Sequence, residues 1–136
     1  MPARFLLDTN ICIYIRSHRP ANIRARFERL DPGEAALSVI TYGELLYGAE
    51  KSENRILSMR RLAELAGAIS VLPLPDGAAQ AYGIIRAALE IKGRMIGNND
   101  LWIAAHARTS GLVLVTNNER EFRRVPGLKI ENWVTA

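Results

Sequence analysis

The sequence predicts an α/β fold, a three-layer α/β/α sandwich around a central parallel sheet of four to five strands. Three observations carry this expectation. Short β-rich apolar runs alternate with longer amphipathic stretches along the whole chain, the pattern of strands joined by helical crossovers. The 136 residues contain no repeat, linker or shift in composition, and that length suits a single domain over residues 1–136. A hydrophobic fraction of 49% and a charged fraction of 24% allow a real core and exclude disordered, collagen-like and low-complexity chains.

The elements follow in order. Arg4–Leu7 is a short apolar run that closes on Asp8-Thr9-Asn10, which reads as a buried strand ending in polar residues. Asn10 is placed to cap a short helix from Ile11 to Ser17. Pro20 suits the first turn of a second helix reaching Leu30, where Asp31-Pro32-Gly33 stops it. Ala35–Val39 is the second strand. Thr41 opens an amphipathic helix to Glu50 with Leu45, Leu46 and Ala49 on one side, and Ser52–Ala66 is a further helix ended by Gly67. Ile69–Leu74 is the third strand, interrupted by Pro73 and Pro75. Asp76 is the expected N-cap of the longest helix, Gly77–Lys92, which Gly93 terminates. Asn99 caps a helix from Asp100 to Ser110, with Gly111 as its stop. Leu112–Val115 is the clearest strand, followed by a short helix at Glu119–Arg123 and an edge strand at Leu128–Ile130.

Composition narrows the setting. A single cysteine, Cys12, cannot form an internal disulfide, which excludes a disulfide scaffold and favours a reducing compartment. No apolar run approaches the roughly 20 residues that span a bilayer, and Asp8 interrupts the N-terminal apolar stretch too early for a signal peptide. The expected location is the cytoplasm, with no membrane partner. The net charge of +4 is unevenly spread. Residues 1–30 hold six Arg against Asp8 and Glu28, residues 31–85 are net acidic, and residues 86–136 are again net basic. Arginine, with its planar fork, suits phosphate contact, so the basic end points to a polyanion such as nucleic acid. A solvated helix face explains the same charges equally well.

Four acidic positions stand where a strand ends or a helix begins: Asp8, Glu44, Asp100 and the pair Glu119/Glu121. In open parallel sheets ligands bind beyond the carboxyl ends of the strands, which is where Asp8 and the Glu119/Glu121 pair would point. Crowded carboxylates repel unless a cation compensates. Oxygen donors without nearby Cys or His suit Mg²⁺ or Mn²⁺ over Zn²⁺. Such ions generate hydroxide and neutralise a phosphate under attack, so a basic protein with an acidic centre reads as a phosphodiesterase. Each acid also has a plain structural explanation: Asp8 and Asp100 as helix-terminal residues, Glu44 as an exposed helix position, and one of the last pair as surface.

Other candidates carry less. His106, among alanines six residues after Asp100, reads as a core group or a support for the site, and His18 as surface. Cys12 reads as a small packed hydrophobe. Trp102 reads as packing in preference to base stacking, while Tyr42 and Tyr47 flank Glu44 and line either a groove or a partner surface. The chain contains neither a glycine-rich phosphate loop nor a serine nucleophile motif.

Four ordered motifs then stand together: Leu6-Leu7-Asp8-Thr9-Asn10; Ser38-x-x-Thr41-x-x-Glu44-Leu45-x-x-Gly48; Ile96-Gly97-x-x-Asp100-x-x-Ile103-Ala104; and Leu114-Val115-Thr116-Asn117-Asn118, closing with Phe122 and Glu131-Asn132-Trp133. This arrangement resembles the PIN-domain family, and within it the VapC-type toxin ribonucleases of type II toxin–antitoxin pairs, over nearly the whole chain. The resemblance implies a PIN-like sandwich and an endoribonuclease dependent on Mg²⁺ or Mn²⁺, with catalytic acids at Asp8, Glu44, Asp100 and a fourth position. Glu121 is assigned there, with Glu119 or an Asn at 117 or 118 as the other placements; relatives often carry Asp near that segment. Asp8 and Asp100 would be the principal metal ligands, with Glu44 and Glu121 holding a second ion or the attacking water. Thr9 and Asn10 would support the first corner, and Thr116 and Asn117 the fourth by hydrogen bonding. Met95, where relatives often have Pro, alters the stiffness of that loop.

The resemblance further implies a tRNA or rRNA substrate, the initiator tRNA anticodon stem-loop first among them, and a homodimer. It also implies a VapB-type antitoxin whose C-terminal segment covers the acidic groove, often with an Arg set among the carboxylates. Arg16, Arg24, Arg94 and Arg108 are the candidates for holding the RNA backbone, with Arg86 and Arg123 as others. Two rival readings remain open. An aspartyl phosphatase would need a second Asp at position 10, which is Asn. A catalytically silent RNA- or protein-binding PIN scaffold would be expected to have lost acids that this chain retains.

Overall fold

The computed structural model describes residues 2–134. Five strands form one all-parallel sheet: β1 (Phe5–Leu7), β2 (Ala35–Ser38), β3 (Ser70–Leu72), β4 (Val113–Val115) and β5 (Ile130–Glu131). Their order is β3-β2-β1-β4-β5. The helices between them are α1 (Thr9–Ser17), α2 (Ala21–Glu28), α3 (Val39–Glu50), α4 (Arg55–Ala68), α5 (Ala78–Ile91), α6 (Asn98–Ser110) and α7 (Glu119–Phe122). The expected three-layer α/β sandwich is what forms, with five strands.

Strand alternation builds both layers of the core. Phe5 and Leu7 pack with Ala35, Leu37 and Val115 against Ile11 and Ile15 of α1, Leu45 of α3 and Leu62 of α4. Leu6, Ala36 and Leu114, pointing the other way, pack against Ile85 and Leu89 of α5 and Leu101 and Ala104 of α6. Because both faces are covered, β1 is buried throughout, which is why its sequence reads as an unbroken apolar run. Trp133, almost fully buried, meets Phe5 edge to face at 5.5 Å. Asn22 Nδ2 donates to the Trp133 carbonyl at 2.9 Å, and Arg26 bonds Glu131 at 3.0 Å, tying the end of the chain to α2.

The connectivity determines where a site can lie. From β1 the chain moves outward through β2 to β3, then returns to place β4 on the other side of β1. Strand order reverses at the β1–β4 pair, and a crevice opens beyond their carboxyl ends. Among the described residues no helix is long and apolar enough to cross a membrane.

Several boundaries differ from the sequence expectation. Strand β2 ends at Ser38, whose Oγ accepts from Ile40 N–H at 3.2 Å and starts α3 at Val39, two residues before Thr41. Helix α1 is capped by Asp8, not Asn10: Asp8 Oδ1 accepts from Ile11 N–H at 3.2 Å. Asn54 caps α4, so that helix starts at Arg55 and not at Ser52. Neither Asp76 nor Asn99 caps by its side chain. Gly77, at φ +92°, turns the chain into α5, and Gly97 precedes α6, which begins at Asn98. The last strand lies at Ile130–Glu131, beyond the expected Leu128–Ile130.

Candidate active site

Asp8 is the first residue past β1 and Thr116 the first past β4, so the parallel pairing of Leu7 with Val115 brings them together. Thr116 Oγ1 donates to Asp8 Oδ2 in a short, buried hydrogen bond and itself accepts from Asn118 N–H at 2.9 Å. Asp8 is thus held at both oxygens, by a helix N-terminus and by the neighbouring strand. Burial pushes its carboxyl above the usual range, the Thr116, Ile11 and Asn10 hydrogen bonds pull it down, and the Glu44 charge raises it.

Glu44 lies in the second turn of α3, directed at α1, where Thr9 Oγ1 donates to its Oε1 at 2.7 Å. The placement of α3 depends on a distant contact. Ser38 Oγ, which caps this helix, lies 2.9 Å from Nδ1 of buried His106 on α6. Ser38 Oγ thus accepts from Ile40 N–H and shares a second hydrogen bond with the imidazole, whose direction follows the ring's tautomer. Burial lowers the His106 pKa. The core or supporting reading of His106 holds, and the residue it supports is Ser38.

Asp100 stands in the first turn of α6, where the helix dipole favours a negative charge. The opposing effects are larger: burial first, then the charges of Glu121, Glu44 and Asp8, push its pKa up to about 6. Asp8, Thr9, Asn10, Glu44, Asp100, Ile103, Asn118 and Phe122 line one small cavity of about 220 Å³. Within the acidic pair after β4 the two members diverge. Glu121 acts on Asp100 and is held by Asn118 Nδ2, which donates to its Oε2 at 3.0 Å. Glu119 turns outward to Arg123 at 3.1 Å and to Asn132 at 3.3 Å.

The supporting residues are partly reassigned by this geometry. Thr116 bonds Asp8 directly and reaches the fourth corner only through the Asn118 N–H that it accepts. Asn118 holds Glu121, while Asn117 accepts from Asn132 at 3.2 Å. The dipeptide signal was present in the sequence, but two adjacent Asn residues are separated only by which way the chain turns. Asn10 is exposed and reaches the cavity wall without a side-chain hydrogen bond among the described residues.

The arginines divide similarly. Arg16 borders a small pocket that also includes Thr9 and Glu44. Arg24 is committed to Glu28 at 2.8 Å and to the Ile15 carbonyl at 3.1 Å. Arg94 is exposed in the turn between α5 and α6. Arg108 sits in the last turn of α6, the opposite end of that helix from Asp100, beside Gly127. Arg86 bonds Glu90 and Tyr82 on α5, and Trp102 stacks on Tyr82 with ring centroids 4.0 Å apart, in keeping with packing. Cys12 is fully buried, and burial drives its thiol far above its ordinary value.

Six ion pairs form among the described residues, and none involves Asp8, Glu44, Asp100 or Glu121. Asp8, Glu44 and Asp100 line one cavity, Glu121 acts on Asp100 from beside it, and none of the four is paired with a cation among the described residues. The donors there are hard oxygens, with Cys12 protonated and His106 engaged elsewhere, a set that fits Mg²⁺ or Mn²⁺. No three of the described His, Cys, Asp or Glu side chains are gathered closely enough to enclose an ion. Mg²⁺ tolerates such an open arrangement because it retains several waters and takes few carboxylates.

Comparison with known proteins agrees with this picture. The PIN domain family model matches residues 5–128. The tRNA(fMet)-specific endonuclease VapC of Shigella flexneri is 47% identical over 133 residues, covering 96% of this chain and 98% of that protein. Ribonuclease VapC2 of Haemophilus influenzae is 44% identical over 131 residues, with 96% and 98% covered. The crystal structure of DNA-bound VapBC from Salmonella typhimurium contains a chain that superposes with a TM-score of 0.90 at 44% identity, covering 96% of this chain and 98% of that one. Motifs, strand order and full-length similarity agree, and the chain belongs to the PIN-domain family.

Proposed function

We propose that this chain is a divalent-metal-dependent endoribonuclease, the toxin of a VapBC-type toxin–antitoxin pair, that inhibits translation by cutting tRNA. The observation that carries the reading is the crevice beyond β1 and β4, lined by Asp8, Glu44 and Asp100 with Glu121 acting on Asp100 beside it, none of them ion-paired among the described residues. Similarity to a tRNA(fMet)-specific endonuclease makes the initiator tRNA anticodon loop the first substrate to test. Similarity to VapBC complexes supports a VapB-type antitoxin as the partner. The chain would work in the cytoplasm as a homodimer of single-domain subunits.

In this reading Asp8 and Asp100 would hold the ion, Glu44 would add a further oxygen donor, and Glu121 would orient the attacking water. The ion, when bound, supplies hydroxide near neutral pH and neutralises charge building on the phosphate. The protein contributes rigidity. Thr116 and the Ile11 N–H keep Asp8 from rotating, Thr9 restrains Glu44, and Asn118 aims Glu121. Asp100, half-buried beside three other acids, would release its proton as the ion arrives.

The test is incubation of the purified protein with total bacterial RNA in Mg²⁺, Mn²⁺ or EDTA, with the new ends mapped. Discrete cuts that disappear with EDTA are expected. Undiminished cutting in EDTA, or no cutting with either ion, would overturn the reading.

A further inference from the structure

A second concavity lies directly beside the carboxylates. It runs along the outer face of α3 between Val39, Ile40, Gly43, Tyr47, Gly48 and Lys51, with a volume of about 660 Å³. It shares Thr9 and Glu44 with the acidic cavity, so the two form one continuous surface. Two features of its lining need a function. Tyr47 is 65% exposed and Val39 42% exposed, two of six exposed large apolar side chains among the described residues and the two that line this groove. Gly43 and Gly48 flank Glu44 on α3, and a Cβ at either position would enter open space, so their missing side chains keep the groove floor clear. At the far end Lys51 Nζ stands 4.7 Å over the Tyr47 ring, and it makes no ion pair among the described residues.

We propose that this groove is a nucleobase subsite: an unpaired base next to the cleaved phosphate stacks on Tyr47, and Lys51 takes an adjoining phosphate. The proposal rests on RNA being the substrate. A strand whose phosphate lies at the carboxylates extends along the adjoining surface, and α3 is the wall that carries both Glu44 and Tyr47. An aromatic ring backed by a cation matches a base and its phosphate, since stacking tolerates any base and the charge follows the backbone.

The test measures binding, independently of cleavage, in the Asp8→Asn background with Mg²⁺. The probes are fluorescent single-stranded oligoribonucleotides, intact or with an abasic residue at successive positions. One abasic position should weaken binding about tenfold with Tyr47 present and have no effect in the Tyr47→Ala variant, whose affinity for intact RNA should fall by the same factor. Tyr47→Phe and Tyr47→Trp should retain tight binding. Lys51→Ala should lower the slope of log K against log salt by about one contact. Equal abasic penalties with and without Tyr47 would overturn the proposal. A change in sedimentation of Tyr47→Ala with unchanged RNA affinity would also overturn it, assigning the groove to a protein partner. Absence of RNA binding would do the same. Tyr47-dependent binding without cleavage by the native chain would leave the subsite standing and remove the nuclease reading instead.

Discussion

The Asp8 corner and the Glu121 corner of the crevice carry the same functional group and are built in opposite ways. Asp8 is buried, follows the central strand, and has both oxygens bound, by the start of α1 and by Thr116 beyond β4. Glu121 sits on a four-residue helix at the rim and relies on one amide, Asn118. One corner belongs to the core and the other to a loop. The difference separates a carboxylate fixed by sheet topology from one tuned by local hydrogen bonding, and loss of support should therefore have different consequences at each.

The largest effect is expected from the carboxylates themselves. Asp8→Asn and Asp100→Asn should each reduce RNA cleavage about a thousandfold or more while circular dichroism stays unchanged. Near-native cleavage by either would break the comparison at its foundation. Next come the supports. Asn118→Ala and Glu121→Gln should slow cleavage about 10- to 100-fold with little change in melting temperature, and Glu119→Gln should behave like the native chain. Thr116→Val, in contrast, leaves a buried carboxylate short of a donor and should cost about 1–3 kcal/mol in denaturant unfolding. If both supports affected stability alike, the distinction between core and rim would fail.

The smallest effect concerns pH. Asp100 is raised from its ordinary value to about 6, so the fold favours its protonated form. The stability this contributes is complete below about pH 4 and is lost as pH rises through about 6. Metal-free Asp100→Asn protein should therefore melt higher than the native chain above pH 6, by about 1 kcal/mol after allowance for the carboxyl's partial exposure, and match it near pH 4. Mg²⁺ should narrow the gap at neutral pH by stabilising only the chain that binds it. Parallel melting curves across that range would contradict the burial and crowding inferred for Asp100.

Legibility in the sequence followed the same division. Strands covered on both faces read as continuous apolar runs, so β1, β2 and β4 and the acid at the end of β1 could be located directly. The start of α3 was obscured because Ala35-Ala36-Leu37-Ser38-Val39-Ile40 is β-rich, and only the Ser38 hydroxyl, bonding Ile40 N–H, shows that the helix has begun. His106 and Ser38 are 68 residues apart, so no local pattern could pair them. The reversal from Asn117 to Asn118 has a similar cause, since identical neighbours differ only in backbone direction. The basic N-terminal block was ambiguous because arginine serves two purposes: Arg4, Arg24 and Arg26 are engaged with Glu34, Glu28 and Glu131, while Arg16 borders the site.

In the proposed mechanism the carboxylates of Asp8, Glu44, Asp100 and Glu121 make the place for a divalent ion. Mn²⁺ binding tests this most directly, followed by loss of the free-ion paramagnetic resonance signal at pH 7.5. The native chain should take up Mn²⁺ and the Asp8→Asn/Asp100→Asn double variant, folded by circular dichroism, should take up none at the same concentrations. Equal uptake by the two proteins would contradict the assignment of the crevice as the metal centre.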